Sequence, residues 1–334
     1  MCRCRYGPGT IIFMSKPFTE LETQIAILKN RGIIFDDEEY AKSCLYKHGY
    51  YNLINAYKPL FLASTSPEYY LQGTKFDYFL VAHDIDFTYR QIILSRIIGI
   101  ENSLKSIVAY EFSKSFGATG YLDIRNFKER NVEQCQRLQS DIGKLIQKAL
   151  SPHKTTDPSC QCVRHHYFVH GEIPIWILFR VMYLGQFAMF YECLRDDTKN
   201  NICNGISDLY NTKINRRELY DYLQILCSMR NLCAHGQRIY NFSTRYTIKP
   251  KDSYLKTLLK CAPDFNIHSC NVIIPIFHQL LDEKEFRSFS DDITTAWTKA
   301  FRQMSRTAFN DLLDKILGSQ VFMGIIEYMM NHPN

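Results

Sequence analysis

Apolar positions recur with a period near 3.6 along almost the whole chain, which predicts helices. Leu21, Ile25 and Leu28 form the first stripe, with Thr19 and Glu22 as a capping box in front and Gly32 as the stop. The acidic run Asp36-Asp37-Glu38-Glu39 predicts the N-terminus of a second helix, where the macrodipole favours carboxylates, and Gly49 ends it. A short aromatic segment follows, with Tyr50, Tyr51, Leu53, Ile54, Tyr57 and Pro59. Residues 63–75, with Ser64, Ser66, Pro67 and Gly73, are predicted as a loop.

From Asp77 to about Phe116 one stripe is sustained through Ile85, Tyr89, Ile93, Ile97, Ile100, Leu104 and Val108, and Gly117 is its stop. Another helix is expected over roughly 127–150, stopped by Ser151-Pro152. Residues 151–172 are polar and predicted as a loop, and Pro174 is placed in the first turn of the next helix. Asn215 and Glu218 predict a second capping box, ahead of Leu219, Tyr222, Leu223 and Leu226. The remainder to Asn334 reads as three or four more helices. Strand alternation is nowhere sustained, so the expected fold class is all-α. The expected organisation is a disordered leader over 1–13, with Met14 as the alternative start, then an N-terminal helical segment over 14–75. A helical core over 76–245 and a C-terminal helical extension over 246–334 complete it.

The stretch Ile173–Tyr191 tests for a membrane span, since nineteen residues carry a single charge, Arg180. Arg180 lies near the middle, where insertion costs about 2.5–3.5 kcal/mol. A helix apolar on all sides is also the centre of a bundle, and that reading is preferred. The chain is therefore expected to be cytoplasmic, with no membrane association. Twelve cysteines are scattered, several inside apolar helical runs, which suits reduced thiols packed as small hydrophobes. At 334 residues, 46% hydrophobic and 22% charged, the composition excludes wholesale disorder. The net charge of +6 is too small by itself to announce a nucleic-acid binder.

Its distribution says more. Between Gly236 and Lys260, Arg238, Arg245, Lys249, Lys251, Lys256 and Lys260 face the single acid Asp252, with Tyr240, Phe242, Tyr246 and Tyr254 interleaved. Cations mixed with rings suit single-stranded RNA, and a solvated connection with buried rings is the other reading. Immediately before this tract the chain reads Arg230-Asn231-Leu232-Cys233-Ala234-His235-Gly236. Arg is a planar fork matched to phosphate, and His moves a proton near neutral pH. These groups suit phosphodiester cleavage by an attacking hydroxyl. No carboxylate cluster or glycine-rich phosphate loop accompanies them, so no metal and no cofactor are called for. Residues five apart lie about 140° apart on an ideal helix. The pair converges only if His235 leaves the helix or a second chain supplies partners.

Two other groupings carry less. Arg164 with His170 is a looser second pair in a polar stretch and is read as coincidence. Cys160, Cys162, His165 and His166 are metal-ligand types, but Cys-x-Cys-x-x-His-His is not a usual structural zinc spacing.

Several ordered blocks bear a family likeness. They are Lys16-Pro17-Phe18 through Gln24, Leu28 and Arg31-Gly32, and His48-Gly49-Tyr50-Tyr51-Asn52-Leu53 with Tyr57, Pro59, Leu60 and Phe61. Phe87, Arg90, Ile100-Glu101 and Tyr110 follow, then Ile173-Pro174-Ile175-Trp176 with Gly185 and Leu194, and last Arg230 to His235 with Arg238-Ile239 and Asn241. Together they resemble the Abi family of bacterial abortive-infection proteins, in its AbiD/AbiF group, over most of residues 14–245. The resemblance implies a helical bundle of the HEPN type and metal-independent RNA cleavage. Arg230 would hold the scissile phosphate, His235 would transfer protons, and Asn231 would orient the His or the phosphate. The RNA 2′-OH would attack, leaving a cyclic phosphate and a 5′-hydroxyl. Such sites are usually built from two facing motifs, which implies a homodimer here, and related systems pair with a small non-coding RNA. Glu101 is placed to hold the Arg230 fork or to pair with another cation. The chain departs from the pattern at Arg180, where many relatives carry an acid, and at Gly236, where a second His is common. A non-catalytic RNA-bound scaffold that senses infection is the alternative reading.

Overall fold

The computed structural model describes residues 18–317, except 130–131, 155, 245–265 and 267, together with the paired dipeptides Arg5–Tyr6 and Thr10–Ile11. The described chain is all-α apart from two small antiparallel pairs of strands. It divides into two compact units, 1–84 and 85–334. The division falls inside a helix, at Asp84, some nine residues after the domain boundary expected from sequence.

In the first unit, α1 (Leu21–Asn30) and α2 (Glu38–His48) pack through Ile25, Leu28, Ala41 and Leu45. Asp37 caps α2 by accepting the Tyr40 N–H at 2.9 Å, as the acidic run predicts. Helix α1 begins one residue later than the capping box expected at Thr19 and Glu22. Glu20 is the N-cap residue of α1 with no side-chain cap, and the Thr19 carbonyl instead accepts from Gln24 Nε2 at 2.8 Å. The aromatic segment winds into a π-turn, Tyr51–Asn55, and then α3 (Ala56–Phe61).

The loop expected over 63–75 contains a hairpin, β3 (Leu62–Thr65) paired with β4 (Glu68–Tyr70). Glu68 ties it down through Arg31 at 2.7 Å and through Lys58. The buried Tyr70 ring meets Phe79 edge-on at 5.6 Å, and Phe61 lies 4.8 Å from the same ring.

The long predicted helix is α4 (Phe76–Phe116), ended by Gly117 at φ +78. Gly supplies this left-handed conformation without steric penalty. The second unit contains the part of α4 from Ile85 onward. It also holds α5 (Val132–Leu150), α6 (Pro158–His165), α7 (Ile175–Val181), α8 (Leu184–Cys193), α9 (Asp196–Tyr210) and α10 (Arg216–Ala234). Among the described residues three further α-helices follow, Ile273–Leu280, Glu283–Phe301 and Arg306–Leu317. Phe112, Phe127, Phe179, Phe187 and Phe190 form an aromatic core with centroids 5.1 to 5.9 Å apart. Each such ring, fully buried, contributes about 1.5–3 kcal/mol.

Two stretches differ from expectation. The polar stretch 151–172 is largely helical. Asp157 accepts the Ser159 and Cys160 N–H groups, Pro158 occupies the first turn, and α6 runs into a π-turn, His166–His170. The apolar stretch after Ile173 is two helices. Pro174 is the N-cap of α7, so it stands one place before the first turn. The chain becomes extended at Met182 and Tyr183 before α8. The Tyr183 N–H is taken by Gln186 Oε1 at 3.0 Å, and Lys105 Nζ donates to the Met182 carbonyl at 2.6 Å. The groups freed by the break are thereby satisfied. Among the described residues no helix is long and apolar enough to cross a membrane. The described cysteines are free thiols, most of them buried.

The helix Ile273–Leu280 belongs to the same unit as α10. Gln279, fully buried, accepts from the Tyr222 hydroxyl and donates to Thr212 Oγ1 and the Lys213 carbonyl, each at 3.2 Å.

Candidate functional site

The site grows from the C-terminal end of α10. Asn215 starts the helix, accepting the Arg217 and Glu218 N–H groups at 3.0 and 2.9 Å. The Glu218 carboxylate, expected to complete a capping box, reaches back to Asn215, accepting its side-chain amide at 3.4 Å, and also accepts the Tyr222 hydroxyl at 3.0 Å. Burial pushes its pKa up. Leu219, Tyr222, Leu223, Leu226 and Met229 anchor the buried face. Near the end, Leu232 and Cys233 are still buried, whereas Asn231, Ala234 and His235 are exposed and Arg230 is half-buried.

His235 is the C-cap residue, with φ −91 and ψ 8, and its N–H still makes the last helical bond, to the Asn231 carbonyl at 3.0 Å. Gly236 follows at φ +66. The Gly236 N–H reaches the Cys233 carbonyl at 3.3 Å and the Gln237 N–H reaches Leu232 at 3.1 Å. These two bonds are the 5→2 and 6→1 pair of a Schellman turn. The segment beyond is pinned to α4 by Asp86, whose Oδ1 accepts the Ile239 and Tyr240 N–H groups at 2.9 and 3.1 Å. Arg90, one turn on, pairs with Asp86 Oδ2 at 3.2 Å. A Cβ at Gly236 would lie 3.4 Å from Arg90 Nη1, so this buried ion pair backs directly onto the turn.

Arg230 and His235 do not touch. Arg230 Nη1 reaches Asn231 Oδ1 at 3.5 Å, and the Asn231 amide reaches Cys227 Sγ at 3.9 Å. Asn231 is therefore turned toward Arg230 and not toward His235. Neither Arg230 nor His235 has a carboxylate partner among the described residues. Arg230 opens into a recess of about 640 Å³ walled by α4, α7 and the α7–α8 break, where Glu101, Lys105, Trp176, Arg180 and Tyr183 join it. The expected Glu101–Arg230 pair is not made. Glu101 Oε1 accepts from Lys105 at 2.7 Å, one turn along α4. Burial pushes the Cys227 thiol up, with Arg230 opposing and Glu101 adding, so both charges lie near that sulfur.

Of the cationic tract, Arg238 lies in the described part, half-buried beside Tyr240. Burial raises the Tyr240 pKa, and the Arg238 charge and hydrogen bond oppose the rise. Arg245, Lys249, Lys251, Lys256 and Lys260 lie outside the described residues. Arg164, from the looser second pair, donates to the Leu150 and Ser151 carbonyls and lies 5.4 Å over the Phe168 ring. The rings of His165, His166 and His170 cluster 5.1 to 5.8 Å apart. No three His, Cys, Asp or Glu side chains are arranged to share a metal ion among the described residues.

Sequence reasoning did not assign Asp86, Lys105, Trp176 or Tyr183 to the site. Three of these carried a readable signal. Asp86–Arg90, Glu101–Lys105 and Trp176–Arg180 are each four residues apart, which places both members on one helix face.

A family model described as Abi-like protein matches residues 43–241. The chain belongs to that family. The matched stretch begins in α2 and ends just past the Schellman turn, so it contains every residue of the recess and the Arg230–His235 segment. Membership in the Abi-like family implies a role in abortive infection. No match to the chain is found among the curated proteins or the solved structures.

Proposed function

We propose that this Abi-like protein is a metal-independent endoribonuclease of the HEPN type, within the AbiD/AbiF group, that arrests infected cells by cutting RNA. One observation carries the reading. The end of α10 presents a guanidinium and an imidazole, neither neutralised by a carboxylate, with the imidazole at the helix cap where the Gly236 turn ends the helix. Arg230 opens into a recess wide enough for a ligand, and His235 faces solvent.

The chemistry follows from these groups. An imidazole takes the proton of the RNA 2′-OH as that oxygen attacks phosphorus. The bond from phosphorus to the 5′-oxygen breaks, and a second imidazole, protonated beforehand, gives its proton to the leaving oxygen, so that the two imidazoles end with their protonation states exchanged. The products are a 2′,3′-cyclic phosphate and a 5′-hydroxyl. Arg230 balances the charge that grows on the non-bridging oxygens. Asn231, whose Oδ1 accepts from Arg230 Nη1 at 3.5 Å, steadies that fork beside the phosphate.

One chain supplies one such imidazole, on a helix face different from that of Arg230. A second copy related by a two-fold axis would bring its own α10 end opposite the first. Two motifs then make one site. A small non-coding RNA held by the cationic tract after Gly236 would keep the uninfected cell safe.

Expression of the wild-type chain in a bacterial host is expected to arrest growth. Arg230→Ala and His235→Ala are each expected to abolish the arrest, with cleavage of cellular RNA reduced by roughly 10²–10⁴-fold. RNA binding retained by the His235→Ala protein alongside lost toxicity separates the enzyme from a non-catalytic scaffold. Undiminished arrest by either variant would refute the assignment.

A further inference from the structure

The recess beside α10 carries more positive charge than its own carboxylate neutralises. Three cations and one acid line it. Lys105 is committed to Glu101 Oε1 at 2.7 Å and to the Met182 carbonyl at 2.6 Å. Arg180 is exposed and has no ion pair among the described residues, and Arg230 has none either. Two guanidinium groups therefore line one cavity with no carboxylate paired to either, and a guanidinium fork matches phosphate oxygens.

The rim points to the rest of the ligand. Trp176 is 49% exposed and Tyr183 is 60% exposed, and neither meets another ring among the described residues. Trp176 sits one turn before Arg180 on α7, so ring and cation share a face. Tyr183 is fixed at the α7–α8 break by the Gln186 side chain. Phe179 and Met182, both buried, hold the α7 side of the recess in place. Open rings alternating with unpaired arginines form a stacking platform along a phosphate track, the arrangement that single strands use.

We infer that this recess is a nucleotide subsite for single-stranded RNA, in which Arg180 and Arg230 hold phosphates while Trp176 and Tyr183 stack on bases. The inference rests on the ribonuclease reading for its choice of RNA. It adds where the strand lies: along α7 and the break after it, reaching the α10 end at Arg230. Stacking is tolerant of base identity, so the subsite positions the strand and does not select a sequence.

The chain has two tryptophans, and the other, Trp297, is only 7% exposed. Trp297→Phe therefore leaves Trp176 as the sole indole reporter, and His235→Ala in the same full-length chain keeps the RNA intact. This protein is titrated with oligoadenylate, oligouridylate and inorganic phosphate while indole emission is read. Fluorescence polarisation of labelled oligoadenylate gives the affinity independently.

Quenching by either RNA is expected, with the midpoint given by polarisation, and phosphate alone should leave the emission unchanged. Trp176→Ala, at an exposed position, should weaken RNA binding roughly five- to a hundredfold. Arg180→Ala should lower the salt slope of binding by about one. The inference is overturned if RNA binds without quenching, if Trp176→Ala binds as tightly as its parent, if phosphate alone quenches, or if no RNA binds. Should the Trp297→Phe protein fail to fold, polarisation on Trp176→Ala alone decides the matter. The two readings fail separately. Cleavage that needs His235 but ignores Trp176 removes only the subsite. A Trp176 response to RNA from a chain that cleaves nothing removes only the ribonuclease.

Discussion

Glu192 on α8 accepts from Lys128 at 2.8 Å and from Lys199 at 3.2 Å, and the Lys199 ammonium also donates to the Glu192 carbonyl. Burial pushes the Glu192 carboxyl up, but the two lysines outweigh it and hold its pKa below the usual value. Burial lowers the pKa of Lys199, and Glu192 is the chief acid that opposes the fall, with Asp196 adding less. A carboxylate with a lowered folded pKa stabilises the fold above the ordinary carboxylate range. That contribution is lost as pH falls through the lowered value. Glu192→Gln is expected to cost on the order of 3 kcal/mol at neutral pH, because it strands a buried lysine. Thermal melts from pH 7 down to pH 3 check this: the wild type should lose more stability on acidification than the variant. Parallel curves would contradict it. At this scale sequence reading was uneven. The residues at the end of α10 were legible because Arg, Asn and His stand together in one short segment. The partner of Glu101 was not, because α4 offers Lys105 one turn away and α10 offers Arg230 across the recess, and only the packing of the helices decides between them.

At the scale of elements, the turn that ends α10 is the feature on which the site depends. Gly236 holds φ +66 against the Arg90 guanidinium. Gly236→Ala is expected to cost about 1–2 kcal/mol, since an L-residue is disfavoured in that region. Urea unfolding measures the loss, and an unchanged midpoint would show that the turn relaxes freely. Asp86→Asn keeps the shape but removes the charge facing Arg90 and weakens the acceptor for the Ile239 and Tyr240 N–H groups. Hydrogen exchange of those two amides should quicken in the variant while the Leu223 and Leu226 amides stay protected. Long helices with a clear stripe were legible. The hairpin Leu62–Tyr70 was not, because its strands are short and β3 is mostly exposed, leaving no alternation to read. The helix Pro158–His165 was hidden by Ser, Cys and His, weak helix formers that its Asp157 cap and its packing override. The break at Met182–Tyr183 lies in a run apolar enough to continue either way, and the Lys105 donor that favours it comes from a distant part of the chain.

At the scale of the molecule, the helical fold class was legible in the hydrophobic period. The recess was not, since it draws on α4, α7 and α10, with side chains more than a hundred residues apart. The proposed chemistry also asks for two copies. Sedimentation should give a mass twice the 39.2 kDa of one chain, and a strict monomer that cleaves RNA would contradict the composite site. The central claim is that the end of α10 cuts RNA through its own imidazole and guanidinium. The most direct measurement incubates the purified full-length chain with single-stranded RNA in excess chelator and determines the chemistry of the new ends. The account predicts 2′,3′-cyclic phosphates and 5′-hydroxyls from the wild type, none from His235→Ala, and no cleavage of the matching DNA. Ends bearing 5′-phosphates, or cleavage undiminished by His235→Ala, would contradict it.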